Sequence, residues 1–250
     1  AAAAAPARRG GGAPRGRGIS PPAAPPAGLN PARREYEGQT VVVAAHGMLI
    51  AMTMTALLAD RHPELLNEDG IYPIPVNDSL TEVPLQYLDD AIDRLVVQHL
   101  EPELGPEQIP AGAQNTTLTL IRHGQTDWNI DHRFQGGTDI PLNDTGREQV
   151  RTAIGALQQA AAEGTRVDAI VSSPLSRAVE SAEIVAEGLG VPYRGAIDGF
   201  QERSFGDLEG QIATRELILA SRQSNNAFNV EPKKDFLARS LAALNRVRRE

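Results

Sequence analysis

Two apolar runs in this chain end on a histidine followed by a glycine. Residues 118–129 read LTLIRHGQTDWN, and the run stops at Arg122, His123 and Gly124. Residues 41–50 read VVVAAHGMLI, and that run stops at His46 and Gly47. A neutral imidazole is a nucleophile, and the ring exchanges protons near pH 7. A guanidinium beside it offers a planar fork of donors suited to the oxygens of an anion. Glycine lets the backbone approach closely. A lone histidine in apolar surroundings is ordinarily a satisfied core residue. At a strand end beside Arg122 and a glycine, His123 is better placed for chemistry.

The elements that must position these residues follow from periodicity. Residues 40–45 predict a buried strand, followed directly by a helix over 48–58. Residues 71–85 predict extended segments interrupted by prolines, and 93–100 a further strand. A strand is expected at 117–121, then a helix over 146–162 capped by Asp144 or Thr145. A strand over 167–171, a helix over 175–189 ending at Gly190, and a strand over 191–197 come next. Residues 201–211 read as loop, and 236–247 as the last helix. Apolar strands alternating with helices imply an α/β fold, with a mainly parallel central sheet covered on both faces. In such sheets, sites form at the carboxyl ends of the strands, where both His-Gly pairs lie.

Composition narrows the classes. The 250 residues contain no cysteine, which excludes disulfides and thiolate metal sites. Net charge is −8, yet residues 1–34 hold six arginines and no acid. The remaining body carries 18 basic and 32 acidic residues, a balance that argues against nucleic-acid binding. No apolar stretch is long enough to span a membrane. Residues 1–34, rich in Ala, Pro, Gly and Arg, are expected to be a disordered leader, and they lack the apolar region of a secretory signal. A cytoplasmic location fits. No carboxylate or histidine cluster suggests a metal.

The motif LIRHGQTDWN is similar to the signature of the histidine phosphatase superfamily, the phosphoglycerate-mutase-like enzymes. The likeness continues through HRFQGGTDIPLNDTGREQ (132–149), SSPLSRAVESAE (172–183) and QERSFGDLEG (201–210), and VVVAAHGMLI resembles the family's second histidine motif. The resemblance implies a three-layer α/β/α fold. It also implies that His123 is the nucleophile, Arg122 and Arg177 the phosphoryl grips, and His46 a donor to the transferring group, with Gly47 allowing close approach. Glu202 would be the acid/base and Asn129 a further phosphate contact. No cofactor and no metal are implied. The expected activity is hydrolysis of a small phosphorylated metabolite, a phosphomonoester, through a phosphohistidine. A phosphoglycerate mutase and a catalytically inactive phospholigand-binding module remain alternatives. Phe134, Phe200, Phe205 and residues 211–232 are expected to rim the pocket. His62, His99 and His132 have no supporting motif and are expected at the surface.

In the family, the RHG strand comes first and the second histidine strand late. Here the order is inverted. Residues 29–35 (LNPARRE) also match 244–250 (LNRVRRE) at five of seven positions. Both observations suggest a circular permutation or a window of a tandem array. The expected organisation is one domain over 35–250. Residues 35–101 would be the family's C-terminal part, 102–116 a linker and 117–250 the N-terminal part. A linker of that length reaches roughly 50 Å when extended, enough for closure in one chain. A homo-oligomer or domain swap is the alternative.

Overall fold

The run at 40–45 alternates its side chains between two apolar faces, and that alternation organises the fold. The computed structural model describes residues 39–58, 63–68, 72–73, 80–83, 117–164, 166–221 and 227–249. Strand β1 (Thr40–Ala45) sends Val41, Val43 and Ala45 into one apolar cluster and Val42 and Ala44 into another. All five are fully buried. Withdrawing each valine from water is worth roughly 1.5–3 kcal/mol, so the register of this strand is firmly set.

The other strands are β2 (Leu80–Val83), β3 (Thr117–Arg122), β4 (Ala169–Ser172) and β5 (Tyr193–Ala196). They form one sheet in the order β2-β3-β1-β4-β5. The first of the described strands is thus central, parallel to both β3 and β4. β5 runs parallel to β4, and β2 is antiparallel to β3 at the edge.

The α-helices among the described residues are α1 (Gly47–Leu58), α2 (Asp127–Ile130), α3 (Asp144–Ala162), α4 (Ser176–Leu189), α5 (Arg215–Ser221) and α6 (Lys233–Arg249). Leu49, Ile50, Met54 and Leu57 of α1 share one cluster with Phe236, Leu244 and Val247 of α6. Val150 and Leu157 of α3 share the other with Ala182 and Val185 of α4. One helix pair therefore packs on each face, which makes the predicted three-layer α/β/α arrangement with a mainly parallel sheet. The described residues all fall within one compact unit, Ala32–Glu250.

Three local expectations need correction. The cap of α3 is Asn143, not Asp144 or Thr145: its Oδ1 accepts the Gly146 N–H at 2.8 Å. Phe200 is not at a pocket rim. Gly199 turns the chain at φ +101°, and Phe200 is fully buried in the cluster beneath α1 and α6. The short helices α2 and α5 were not predicted, because four and seven residues are too few to show a period. α4 ends as expected on Gly190, at φ +66°. The leader, the strand expected over 93–100, the linker 102–116, most of 71–85, His62 and His99 lie outside the described residues.

Candidate active site

Strand register brings the two histidines together. Ala45 pairs with Arg122 across the β1–β3 ladder, so His46 and His123 leave the sheet side by side. The His123 N–H donates to the Ala45 carbonyl at 3.0 Å, and the Ser173 N–H donates to Ala44 at 2.9 Å. The ends of β3, β1 and β4 are thereby locked to one another. The two imidazole centroids lie 5.2 Å apart, with the rings tilted by 59°. Both side chains are buried.

His123 is held in one tautomer. Its Nδ1 lies 2.6 Å from the Gly124 carbonyl oxygen. A carbonyl only accepts, so Nδ1 carries the proton and Nε2 carries the lone pair of the neutral ring. Burial, with the charges of Arg177 and Arg122, pushes the His123 pKa well below its ordinary value, against the smaller opposing effect of the Gly124 carbonyl. The ring is therefore neutral at physiological pH, with the Nε2 lone pair available. The carbonyl is fixed by close packing of its loop: a Cβ on Gly124 would meet the Gly146 carbonyl oxygen at 2.2 Å. Only glycine fits there.

Arg122 ends β3 and borders the same cleft as Arg177. Arg177 is fully buried in the first turn of α4. Its two terminal nitrogens donate to the carbonyls of Thr138 and Gly136, each at 2.8 Å. Burial lowers its pKa to about 10, although Glu202, Asp139 and Glu209 pull the other way. It stays a cation near pH 7. The negative partner of the α4 N-terminus is Asp139, whose Oδ1 accepts from both N and Oγ of Ser176 at 2.7 Å.

Glu202 is half-buried and anchored through both oxygens. Oε2 accepts the Met48 N–H at the start of α1 at 3.0 Å, and Oε1 accepts the Arg203 N–H at 2.9 Å. Burial raises its pKa above the usual carboxylate value; the two backbone donors and the nearby arginines oppose this without cancelling it. A carboxyl that holds its proton more tightly suits an acid/base role. Its backbone is clamped by Arg239 of α6, which donates to the carbonyls of Gly199, Gln201 and Glu202 at 2.8–2.9 Å and pairs with Glu231.

Around these groups lies a cleft of about 650 Å³. His123, Arg122, Arg177, Glu202, Asn129 and Gly47 all border it. His46 lies behind His123, fully buried. The Asn129 Oδ1 accepts from Thr126 in the cap of α2, so the amide NH₂ is what Asn129 can offer an anion. Phe134 and Phe205 line the cleft as expected, and residues 213, 218 and 221 represent the 211–232 segment. His132, expected as an ordinary surface residue, is exposed but lines the cleft. Sequence reasoning passed over Trp128, Arg203 and Lys233, which also line it, and Ser173, which contacts His46 at 2.7 Å. Ser173 lies inside a quoted motif, so position alone could have flagged it. Among the described residues, no three His, Cys, Asp or Glu side chains are grouped to hold a metal ion, and no helix is long and apolar enough to cross a membrane.

The mainly parallel sheet, with the paired histidines at its strand ends and a cleft beside them, defines an α/β class of protein. The chain belongs to the histidine phosphatase superfamily (branch 1), whose family model matches residues 118–250. Among similar proteins, the "Uncharacterized phosphatase PhoE" of Bacillus subtilis (strain 168) is 45% identical over 95 residues, covering 38% of this chain and 46% of that one. The "Phosphoglycerate mutase" of Candida albicans is 33% identical over 124 residues, covering 47% and 48%. The chain thus spans less than half the length of these relatives. The crystal structure of TTHB049 from Thermus thermophilus aligns at 30% identity over 47% of this chain and 65% of that one, with a TM-score of 0.37. The family match begins at Leu118, so β1 and His46 lie outside it.

Proposed function

We propose that this chain is a metal-independent phosphomonoester hydrolase that works through a phosphohistidine on His123. The observation that carries the proposal is the Nδ1 contact of His123 with the Gly124 carbonyl, which leaves Nε2 nucleophilic beside Arg122 and Arg177. In the first step Nε2 attacks phosphorus while the phosphorus–oxygen ester bond breaks. Protonated Glu202 gives its proton to the leaving oxygen, so an alcohol departs. In the second step Glu202 takes a proton from water, the water oxygen attacks the phosphohistidine, and inorganic phosphate leaves. Arg122 and Arg177, with His46 and Asn129, stabilise the equatorial oxygens in both steps.

The substrate is a small phosphorylated metabolite. The mutase alternative has its own support, since several relatives carry that name. The place of β1 between β3 and β4 supports a permuted element order closed within one chain over a swap between two copies.

The test is turnover of p-nitrophenyl phosphate in the presence of EDTA, with His123→Ala as control. The expected result is phosphate release, an acid-labile phosphoenzyme on rapid quench, and neither with His123→Ala. No turnover by the unaltered protein, or turnover that survives the substitution, sinks the hydrolase. Mutase turnover primed by a bisphosphoglycerate, without net phosphate release, selects the alternative.

A further inference from the structure

Glu209 touches none of the cleft atoms that the proposed mechanism uses, yet it is among the most heavily hydrogen-bonded carboxylates in the described structure. Oε1 accepts from the backbone of Gly137 at 3.0 Å and Phe205 at 2.9 Å, and from Ser204 Oγ at 3.1 Å. Oε2 accepts the Thr138 N–H at 2.9 Å and also the Thr138 hydroxyl. These donors come from two loops, one on either side of the carboxylate. The 136–138 loop is the one whose carbonyls, Gly136 and Thr138, clasp the two terminal nitrogens of Arg177.

The chain of contacts is therefore carboxylate to peptide N–H, then carbonyl of the same loop to guanidinium. Polarisation runs along it through one peptide unit: the Gly136–Gly137 peptide gives its N–H to Glu209 and so presents a more negative Gly136 carbonyl to Arg177, while the Thr138 carbonyl, in the next peptide, is held through the position of the loop. A fully buried arginine has to be held by acceptors before it can present its remaining donors to an anion, because an unclasped guanidinium would leave buried N–H groups unpaired. The backbone supports this fit. Gly136 has φ +55°, and a Cβ there would sit 2.2 Å from Glu209 Oε1.

The structure assigns Glu209 as the positioning residue that fixes the 136–138 loop and, through its carbonyls, the Arg177 fork for a phosphoryl group. Two further facts agree. Glu209 is among the carboxylates that offset the burial of the Arg177 charge. Its own pKa lies below the ordinary carboxylate value: burial pushes it up, and the hydrogen bonds led by Thr138 outweigh that, so the group is an anion throughout the neutral range.

This rests on Arg177 gripping phosphate, so the test reads phosphate binding directly and needs no turnover. Inorganic phosphate is titrated calorimetrically into the unaltered protein, Glu209→Ala, Arg177→Gln and the double variant, with circular dichroism confirming the fold of each. Loss of the clasp should weaken phosphate binding about tenfold or more in Glu209→Ala. The same change should be nearly silent once Arg177 is gone, because coupled residues are non-additive. Glu209→Gln keeps one acceptor oxygen and should restore part of the affinity. Thr138→Val, which removes only the hydroxyl donor, should weaken binding slightly. A Glu209 effect of equal size with and without Arg177 shows a merely structural role and overturns the assignment. If Glu209→Ala or Arg177→Gln does not fold, Glu209→Gln and Thr138→Val decide: unchanged phosphate affinity in both overturns it. Failure of the unaltered protein to bind phosphate overturns the phosphoryl site itself, which separates that outcome from a failure of Glu209 alone.

Discussion

His46 and Ser173 meet at 2.7 Å, imidazole Nε2 to hydroxyl Oγ, at the ends of two neighbouring strands. The same hydroxyl accepts the Leu175 N–H at 3.3 Å and has no further hydrogen-bond partner among the described residues, so its own proton is satisfied only when directed at His46. Nε2 is then the acceptor, and the proton of the neutral ring sits on Nδ1. That atom is buried and has no hydrogen-bond partner among the described residues. An unsatisfied buried donor costs about 1–3 kcal/mol. Under the proposed mechanism, a phosphoryl oxygen reaching Nδ1 would offset that cost, which would be a physical reason for His46 to favour the transferring group over the empty site.

Replacing Ser173 with alanine should therefore free the His46 tautomer. We expect phosphoryl transfer to slow by roughly 10–100-fold, with His123 still able to attack. Nitrogen-15 spectra of the labelled full chain should show His46 moving from one tautomer to a mixture. A single unchanged tautomer in Ser173→Ala contradicts the assignment, whatever the rate.

Glu202→Gln cannot protonate a leaving oxygen. Alkyl phosphates, whose alkoxides are poor leaving groups, should lose about 10²–10⁴-fold in kcat/KM. p-Nitrophenyl phosphate, whose phenolate leaves without help, should lose far less in the first step. With the native carboxyl, kcat/KM for alkyl phosphates should fall as pH rises through the raised Glu202 pKa, and this limb should vanish in Glu202→Gln. Equal losses for both substrates remove Glu202 from the acid role.

Arg239 clamps the loop that carries Glu202 through three backbone carbonyls and pairs with Glu231. Lysine keeps the charge but has no fork, so Arg239→Lys loses most of this geometry. The expected pattern is a smaller copy of Glu202→Gln: a loss of about tenfold for alkyl phosphates and little for p-nitrophenyl phosphate. A uniform loss across substrates, tracking a lower melting temperature, instead marks Arg239 as a scaffold residue.

The parts of this site that are local in the chain were legible before any coordinates. The alternation of Val41 to Ala45 and the apolar run ending at Arg122 predicted buried parallel strands, and His46 and His123 follow them directly. Glu202 and Arg177 came from motif resemblance, not from physics; taken alone, each reads as a surface charge. Glu209 and Arg239 were invisible because their partners are far away in sequence: Glu209 meets Thr138, and Arg239 meets Gly199. Nothing in a string of letters says which carbonyls a loop will turn inward. Phe200 was misplaced for the same reason, since the left-handed turn at Gly199 decides its direction. The cap of α3 failed differently: Asn143, Asp144 and Thr145 are all good capping residues, and only backbone geometry selects among them.

The buried histidine pair should leave a signature on stability as well as on rate. His46 and His123 both have folded-state pKa values well below 6.5, from burial first and then from the surrounding cations. Above pH 6.5 both rings are neutral, folded or unfolded, and contribute no pH dependence. As pH falls below 6.5 the unfolded chain binds protons that the folded chain refuses, so stability declines until the folded pKa values are reached. Within that window each ring contributes about 1.4 kcal/mol per pH unit. Glu202, with its raised pKa, acts in the opposite sense between the ordinary carboxylate value and its own, so it opposes part of the acid loss in the lower portion of the window. Thermal denaturation of the unaltered protein should show a marked fall in melting temperature between pH 7.5 and about 5.5. His123→Asn, which is uncharged at every pH, should show a shallower slope across that interval. Parallel slopes for the two proteins would mean that His123 accepts a proton as readily in the fold as in water, and the neutral nucleophile on which the proposed chemistry depends would be lost.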